Sequence, residues 1–288
     1  MLEGKRAIVT GASRGLGRAV ATHLQKGGVE VLLVARSAEK LVQVQRQMEL
    51  ERASEHAAGV HIFPADLADA ANLERVIETA TRLWGSFDIL INNAAVLGPV
   101  GLFFENAWDD WKRAIEINLF APIRLAQLGV HSMRSSGRAG SIVNVSGGGA
   151  TSSRPSFSAY ACSKTALVRF TEIAAAELGD AGIRVNCVAP GVMKTEILKE
   201  VVCAGVQAAG EREYEQARTA SASDLAMNRA AELITFLASP RSAPITGKLI
   251  SAVWDPWRDL ESRAEELNAS DIYTLRRIVP ADRCKVWK

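Results

Sequence analysis

Tyr160 and Lys164 are the pair in this chain best suited to do chemistry. They sit in Ser158-Ala159-Tyr160-Ala161-Cys162-Ser163-Lys164-Thr165-Ala166. An unaided phenol is a poor acid-base group, because its pKa is about 10. A lysine one helical turn away projects from the same face, and its positive charge favours the phenolate and lowers that pKa. Such a pair fits proton exchange with a carbonyl or an alcohol near neutral pH. Upstream, Asn144-Val145-Ser146 ends an apolar run with a hydroxyl.

A second constellation opens the chain. Thr10-Gly11-Ala12-Ser13-Arg14-Gly15-Leu16-Gly17 lies between an apolar strand and an amphipathic helix. Glycines at this spacing allow a tight turn and close backbone approach to a pyrophosphate, which the helix N-terminus then holds. The alternative is a glycine turn that only caps the helix. The second strand ends Val34-Ala35-Arg36-Ser37, where a fold that prefers NAD usually carries an acidic residue. Arg36 and Arg14, with no carboxylate, fit a 2′-phosphate and favour NADP over NAD. The alternative for Arg36 is an ordinary solvated position. Asp66, followed by Leu67, is placed to meet an adenine edge or to cap the next helix.

The elements that must position these residues alternate. Strand-like runs at 7–10, 29–34, 61–64, 89–92, 141–146, 183–188 and 248–253 are separated by helical stretches at 15–26, 40–51, 72–83, 108–134, 158–178 and 226–237. Continuous apolar strands between helices predict a parallel sheet of about seven strands with helices on both faces, a doubly wound α/β fold of Rossmann type. The segment 192–224 is polar and reads as a substrate lid; 1–254 reads as one domain and 255–288 as a C-terminal extension bearing Trp257, Tyr273 and Trp287.

Composition narrows the class. The chain has 288 residues, 48% hydrophobic and 23% charged, which suits a soluble globular enzyme. A net charge of +2 from 34 basic and 32 acidic residues leaves no footprint for nucleic acid. No apolar run approaches a membrane span, and no leader precedes the first strand. Cys162, Cys187, Cys203 and Cys284 show neither disulfide nor metal spacing, so a reducing, cytoplasmic setting is expected. Cys162 and Cys187 read as small apolar fillers, and His23, His56, His61 and His131 as structural or surface residues.

With these residues assembled, the chain resembles the short-chain dehydrogenase/reductase family over about residues 5–252. The likeness rests on the Thr-Gly-x-x-x-Gly-x-Gly turn, Asn92-Asn93-Ala94-Ala95, Ile117-Asn118-Leu119, Ser146, Tyr160-x-x-x-Lys164 and Pro190-Gly191, in that order. The resemblance implies that Tyr160 exchanges the proton of a ketone or secondary alcohol. Lys164 lowers its pKa and holds the nicotinamide ribose. Ser146 hydrogen-bonds the substrate oxygen, and Asn118 sustains a helix distortion and a proton path behind Lys164. Gly11, Ser13, Arg14, Gly15, Leu16, Gly17, Arg36, Ser37, Asp66, Leu67, Asn93 and Ala94 then hold the cofactor. Pro190 and Gly191 face the nicotinamide, and Thr195 meets the pyrophosphate or carboxamide. The implied activity is an NADP(H)-dependent ketone–alcohol oxidoreductase without a metal, assembled as a homodimer or homotetramer through the helices at 108–134 and 158–178. The alternatives are a non-catalytic cofactor-binding relative and an epimerase or dehydratase.

Substrate choice is expected at 96–100, 147–157 and 192–224. Gly147-Gly148-Gly149 keeps the entrance open, and Arg154 meets a polar or anionic substrate group or is a surface residue. The charges of 200–224 argue against a steroid-like pocket. A polar sugar-like or acyl-linked carbonyl is the expected substrate. The family's usual last turn is replaced by Ser251-Ala252-Val253-Trp254-Asp255-Pro256-Trp257, and the extension is expected across the pocket mouth or at a subunit contact.

Overall fold

The structure, a computed structural model, describes residues 2–51, 58–135, 137, 139–193, 195–220 and 224–285. The expectations for His56 and Trp287, and the lid positions 194 and 221–223, lie outside the described residues. In chain order the elements are β1 (Arg6–Thr10), α1 (Gly15–Lys26), β2 (Glu30–Ala35), α2 (Ala38–Leu50), β3 (Val60–Pro64), α3 (Ala70–Trp84), β4 (Ile89–Asn92), α4 (Trp108–Ile115), α5 (Ala121–Ser135), β5 (Gly140–Val145), α6 (Ser158–Leu178), β6 (Ile183–Ala189), α7 (Glu196–Ala209), α8 (Glu211–Thr219), α9 (Asp224–Ala238), β7 (Leu249–Ser251) and α10 (Ala264–Asn268).

The seven strands form one parallel sheet in the order β3-β2-β1-β4-β5-β6-β7. Successive strand residues face opposite layers, as the pleat requires. Ala7, Val9, Val31, Leu33, Ile89 and Ile91 pack with α1, α2 and α9. Ile8, Leu32, Val34 and Leu90 pack with α3, α5 and α6 on the other face. Both faces are therefore covered, which explains the unbroken apolar strands. The order reverses between β1 and β4, and a crevice opens beyond the carboxyl ends of the strands at that point. No described helix is long and apolar enough to cross a membrane.

Three segments add detail to the sequence expectation. The helix over 108–134 carries at Asn118 the distortion that the resemblance implies, a π-helical turn over Glu116–Phe120. The last strand is only Leu249–Ser251, because Asp255 Oδ2 takes the Ser251 N–H at 2.6 Å and turns the chain. The polar lid folds as α7 and α8, meeting at Gly210. The extension packs as part of the body. Trp257, Leu260, Ala264 and Leu267 are buried in the same cluster as α9. Tyr273 O accepts the Leu249 N–H at 2.8 Å along the free edge of β7, and Leu275 N donates to Glu172 Oε1 on α6 at 2.6 Å.

Candidate active site

The turn after β1 is held from β4. Thr10 Oγ1 donates to Ile91 O at 3.2 Å and accepts from Asn93 N at 3.0 Å and Ala94 N at 3.1 Å. Asn93 Nδ2 donates to Thr10 O at 2.9 Å. Gly11 has φ +66, and a Cβ there would stand 2.8 Å from Asn93 Nδ2 and 2.9 Å from Ala94 Cα. Only glycine fits this packed, left-handed position. The first amides of α1 consequently face a cleft of about 1200 Å³.

That cleft gathers the expected residues. Gly11, Ser13, Arg14, Gly15, Leu16, Gly17, Arg36, Ser37, Asp66, Leu67, Asn93, Ala94, Ser146, Tyr160, Lys164, Pro190, Gly191 and Thr195 all line it. Asn118 does not. It is fully buried behind the wall, where its Oδ1 accepts from Val96 N at 2.9 Å and its Nδ2 donates to Val96 O at 2.9 Å and Ser163 Oγ at 3.2 Å. Its side chain pins the loop after β4 to α6.

At one end of the cleft lie the cations. Lys40, which the sequence reading passed over, joins Arg14 and Arg36 there; its signal is its place four residues after Arg36, in the first turn of α2. Ser37 Oγ accepts from Lys40 N at 3.3 Å and caps that helix. Asp66 does not cap α3, whose N-cap is Asp69. Instead Asp66 accepts from Ala68 N at 3.1 Å and from Arg113 Nη2 at 2.8 Å. Burial pushes its carboxyl up, but the Ala68 and Arg113 bonds prevail and hold it below the usual range. Arg113 lies 47 positions away, and nothing local in the sequence points to it. Glu196 and Glu200 of α7 face the cations: Arg14 Nη1 stands 3.9 Å from Glu196 Oε2. Glu200 is raised by burial, with Arg14 pulling it back.

At the other end lie the groups suited to proton transfer. The Ser146 hydroxyl is buried beside the Cys187 thiol and makes no other hydrogen bond among the described residues. A polar group so placed costs stability unless something else satisfies it. Gly147 follows, and a Cβ there would strike Tyr160 Oη, so the missing side chain makes room for the phenol. Lys164 is buried, and its Nζ donates to Val145 O at 2.8 Å. Burial brings its pKa down to about 8. Burial also raises the Tyr160 phenol, and the charge that pulls it back is Arg154. The expected lowering of Tyr160 by Lys164 is therefore not what the structure displays. Here the lysine faces a main-chain carbonyl, 5.8 Å from the ring centre, and burial sets the direction of the phenol's shift. Burial pushes the neighbouring Cys187 thiol up to about 12, which suits a filler and not a nucleophile.

Over the phenol sits a partly apolar roof. Ile197, Leu198, Val201, Val202 and Tyr214 of α7 and α8 pack with Leu97, Val100, Phe157 and Tyr160. The lid is thus less polar on its inner side than its charges imply. Arg154 lies beneath it, bonded to Glu213 of α8.

A family model described as short chain dehydrogenase matches residues 5–204. The human dehydrogenase/reductase SDR family member 4 is 36% identical over 194 residues, covering 67% of this chain and 68% of that protein. The 2,3-dihydro-2,3-dihydroxybenzoate dehydrogenase of Bacillus subtilis is 36% identical over 196 residues, 68% of this chain and 72% of its own. A 3-oxoacyl-acyl-carrier-protein reductase of Vibrio harveyi is 31% identical over 255 residues, 86% of this chain and 96% of that one. Among solved structures, NAD+-bound xylitol dehydrogenase superposes with a TM-score of 0.75 at 23% identity, over 87% of this chain and 98% of that one, and so shares the fold. The chain belongs to the short-chain dehydrogenase/reductase family, oxidoreductases that use a nicotinamide cofactor on small-molecule substrates.

Proposed function

We propose that this chain is an NADP(H)-dependent enzyme that interconverts a ketone and a secondary alcohol on a polar, sugar-like or acyl-linked substrate. One observation carries the reading: the cations Arg14, Arg36 and Lys40, after β1 and β2, and the proton-transfer groups Ser146, Tyr160 and Lys164, after β5 and on α6, line one cleft that spans the β1–β4 switch. The residues fit a dinucleotide. The glycine turn and the α1 amides take the pyrophosphate. Arg36, Arg14 and Lys40 take a 2′-phosphate, and none of the three residues directly after β2 is a carboxylate that could claim a bare ribose. Asp66 and Leu67 border the adenine, Ser37 and Thr195 the phosphates, and Asn93, Ala94, Pro190 and Gly191 the nicotinamide side.

When bound, the nicotinamide supplies or accepts the hydride. The chain does the rest. Ser146 Oγ donates to the substrate oxygen and steadies its developing charge. Tyr160 Oη gives that oxygen its proton in reduction and removes it in oxidation. A phenol held high by burial stays protonated at neutral pH, as a donor must. Lys164 orients the ribose hydroxyls and supplies the nearby ammonium, while Asn118 holds Val96 and α6 in place.

Two of the relatives named above act on a dihydro-dihydroxybenzoate and on a 3-oxoacyl group, which supports an oxygen-rich substrate. Exposed Trp108, Phe120 and Ile173 on α4, its π turn and α6 support a homo-oligomer. The test is NADPH consumption with a panel of ketones. Tyr160→Phe is expected to bind NADPH normally and to lose about 100- to 10,000-fold in turnover. Full turnover in that variant defeats the mechanism, and no turnover by the parent on any carbonyl defeats the reading.

A further inference from the structure

Arg154 is a peculiar neighbour for a catalytic phenol. It sits in the loop between β5 and α6, with its guanidinium carbon 4.1 Å from the Phe157 ring centre and 5.8 Å from that of Tyr160. Its Nε and Nη2 both donate to one oxygen, Glu213 Oε2, at 3.1 and 2.7 Å. Nη1 has no acceptor among the described residues and lies over Gly148, 3.6 Å from where a Cβ would stand. The pair is largely withdrawn from water, with side chains 14% and 24% exposed. A guanidinium stacked on an aromatic face is held in one orientation, and this one presents a fork to a single carboxylate.

The partner carboxylate comes from a lightly held element. Of α8, only Ala217 is buried, and the helix hangs from Gly210. Withdrawal of Glu213 requires α8 to move about Gly210. A desolvated guanidinium left without an anion is costly, so withdrawal is favourable only if another anion replaces it.

We propose that Arg154 is the anchor for a carboxylate carried by the substrate, and that Glu213 is its internal stand-in, making the substrates short oxo acids and the matching hydroxy acids. The assignment rests on the ketone–alcohol reading above and narrows it. One guanidinium matches one carboxylate charge, and its closeness to Tyr160 sets the anchored group within a short molecule of the reacting oxygen. Substrate binding then exchanges one carboxylate for another on Arg154 and frees α8, which couples recognition to movement of the roof.

The experiment compares pyruvate, acetoacetate and levulinate, each against its methyl ester, as substrates with NADPH. The acid of at least one pair is expected to exceed its ester in kcat/KM by about ten- to a hundredfold, the discrimination of a charge-assisted hydrogen bond. Arg154→Met is expected to collapse that ratio towards one, with Arg154→Lys intermediate. Glu213→Gln removes the competing charge and is expected to lower KM for the acid several-fold, raising the ratio. Esters equal to or better than all three acids overturn the proposal. So does an Arg154→Met variant that slows both members of a pair alike, or a Glu213→Gln variant that leaves the ratio unmoved. Calorimetric titration of the same acids and esters into the NADPH-bound parent and Glu213→Gln proteins separates the two levels. If no carbonyl is reduced yet the acids bind selectively and more tightly in Glu213→Gln, the oxidoreductase reading fails and the anchor stands. If ketones are reduced with no preference for acids, the anchor fails alone.

Discussion

The two ends of the cleft are closed by the same stretch, α7 and α8, and each closure sets a carboxylate against an arginine. At the cofactor end Arg14 and Glu196 are 3.9 Å apart with side chains 51% and 39% exposed. At the substrate end Arg154 and Glu213 are 2.7 Å apart with side chains 14% and 24% exposed. Like chemistry in unlike surroundings behaves differently. An exposed pair is worth about 0–1 kcal/mol and yields readily to a phosphate arriving from solution. A withdrawn pair resists opening and discriminates sharply among what replaces its anion. On the function proposed above, the exposed end suits electrostatic capture of a cofactor phosphate and the withdrawn end suits selection among substrates.

The largest effect should come from removing what both ends share. Val253 and Trp254 line the cleft, and the chain beyond them anchors β7 through Tyr273 O and fills the core with Trp257, Leu260 and Leu267. A chain cut after Trp254 should lose more than about 5 kcal/mol of stability, read as insolubility or a collapsed melting transition. Retained folding with only the substrate end impaired would mean that the extension serves that end alone.

A sharper cut at the cofactor end is Arg36→Glu. It places a carboxylate where a 2′-phosphate is expected, so kcat/KM for NADPH should fall about ten- to a hundredfold while NADH gains. Steady-state kinetics with both cofactors measure this, and the preference between an acid and its ester should not move. An unchanged cofactor preference would return Arg36 to the solvated surface.

What the sequence revealed and what it hid follow the same divide. The Gly11–Gly17 turn and the Tyr160–Lys164 spacing are local, so a period of one helical turn or one tight loop exposes them. The alternating apolar runs likewise announce the sheet. The polar partners are distant: Arg113 reaches Asp66 across 47 positions and Arg154 reaches Glu213 across 59, through crossovers whose geometry no local pattern encodes. The π turn at Asn118 is legible only through the family likeness, not from any local pattern. Its cause is the bonding of Asn118 to Val96 and Ser163, made only once β4 and α6 are in place. The Tyr160–Lys164 spacing is legible, but the direction of the phenol's shift follows burial, which the whole fold sets.

Lys164→Met probes the boundary between the two ends. The folded-state pKa of Lys164 is about 8, below the usual 10.5. Below about pH 8 both folded and unfolded chains carry this proton, so the native state bears the full cost of a buried ammonium. Between that point and 10.5 the native state releases the proton first, and stability rises with pH. The methionine variant, measured without cofactor, should therefore escape a desolvation cost of about 3 kcal/mol at pH 7. About 1 kcal/mol of that is taken back by the donor lost at Val145 O, and the gain should fade above pH 10. Turnover should be lost throughout. A variant less stable at pH 7 would show that the Val145 bond outweighs desolvation.

Salt gives the smallest and most direct contrast. The screening length falls from about 14 Å at 0.05 M to about 4 Å at 0.5 M, so charges at the exposed end lose most of their reach. KM for NADPH should rise several-fold over that range, and more than KM for NADH, because the additional phosphate is what Arg14, Arg36 and Lys40 attract. The Arg154–Glu213 end excludes most of the ions that would screen it. The acid-to-ester ratio should accordingly drift less than about twofold. A ratio that falls in parallel with NADPH affinity would mean that Arg154 works from solvent, as a steering charge like Arg14, and the distinction between capture and selection would be lost.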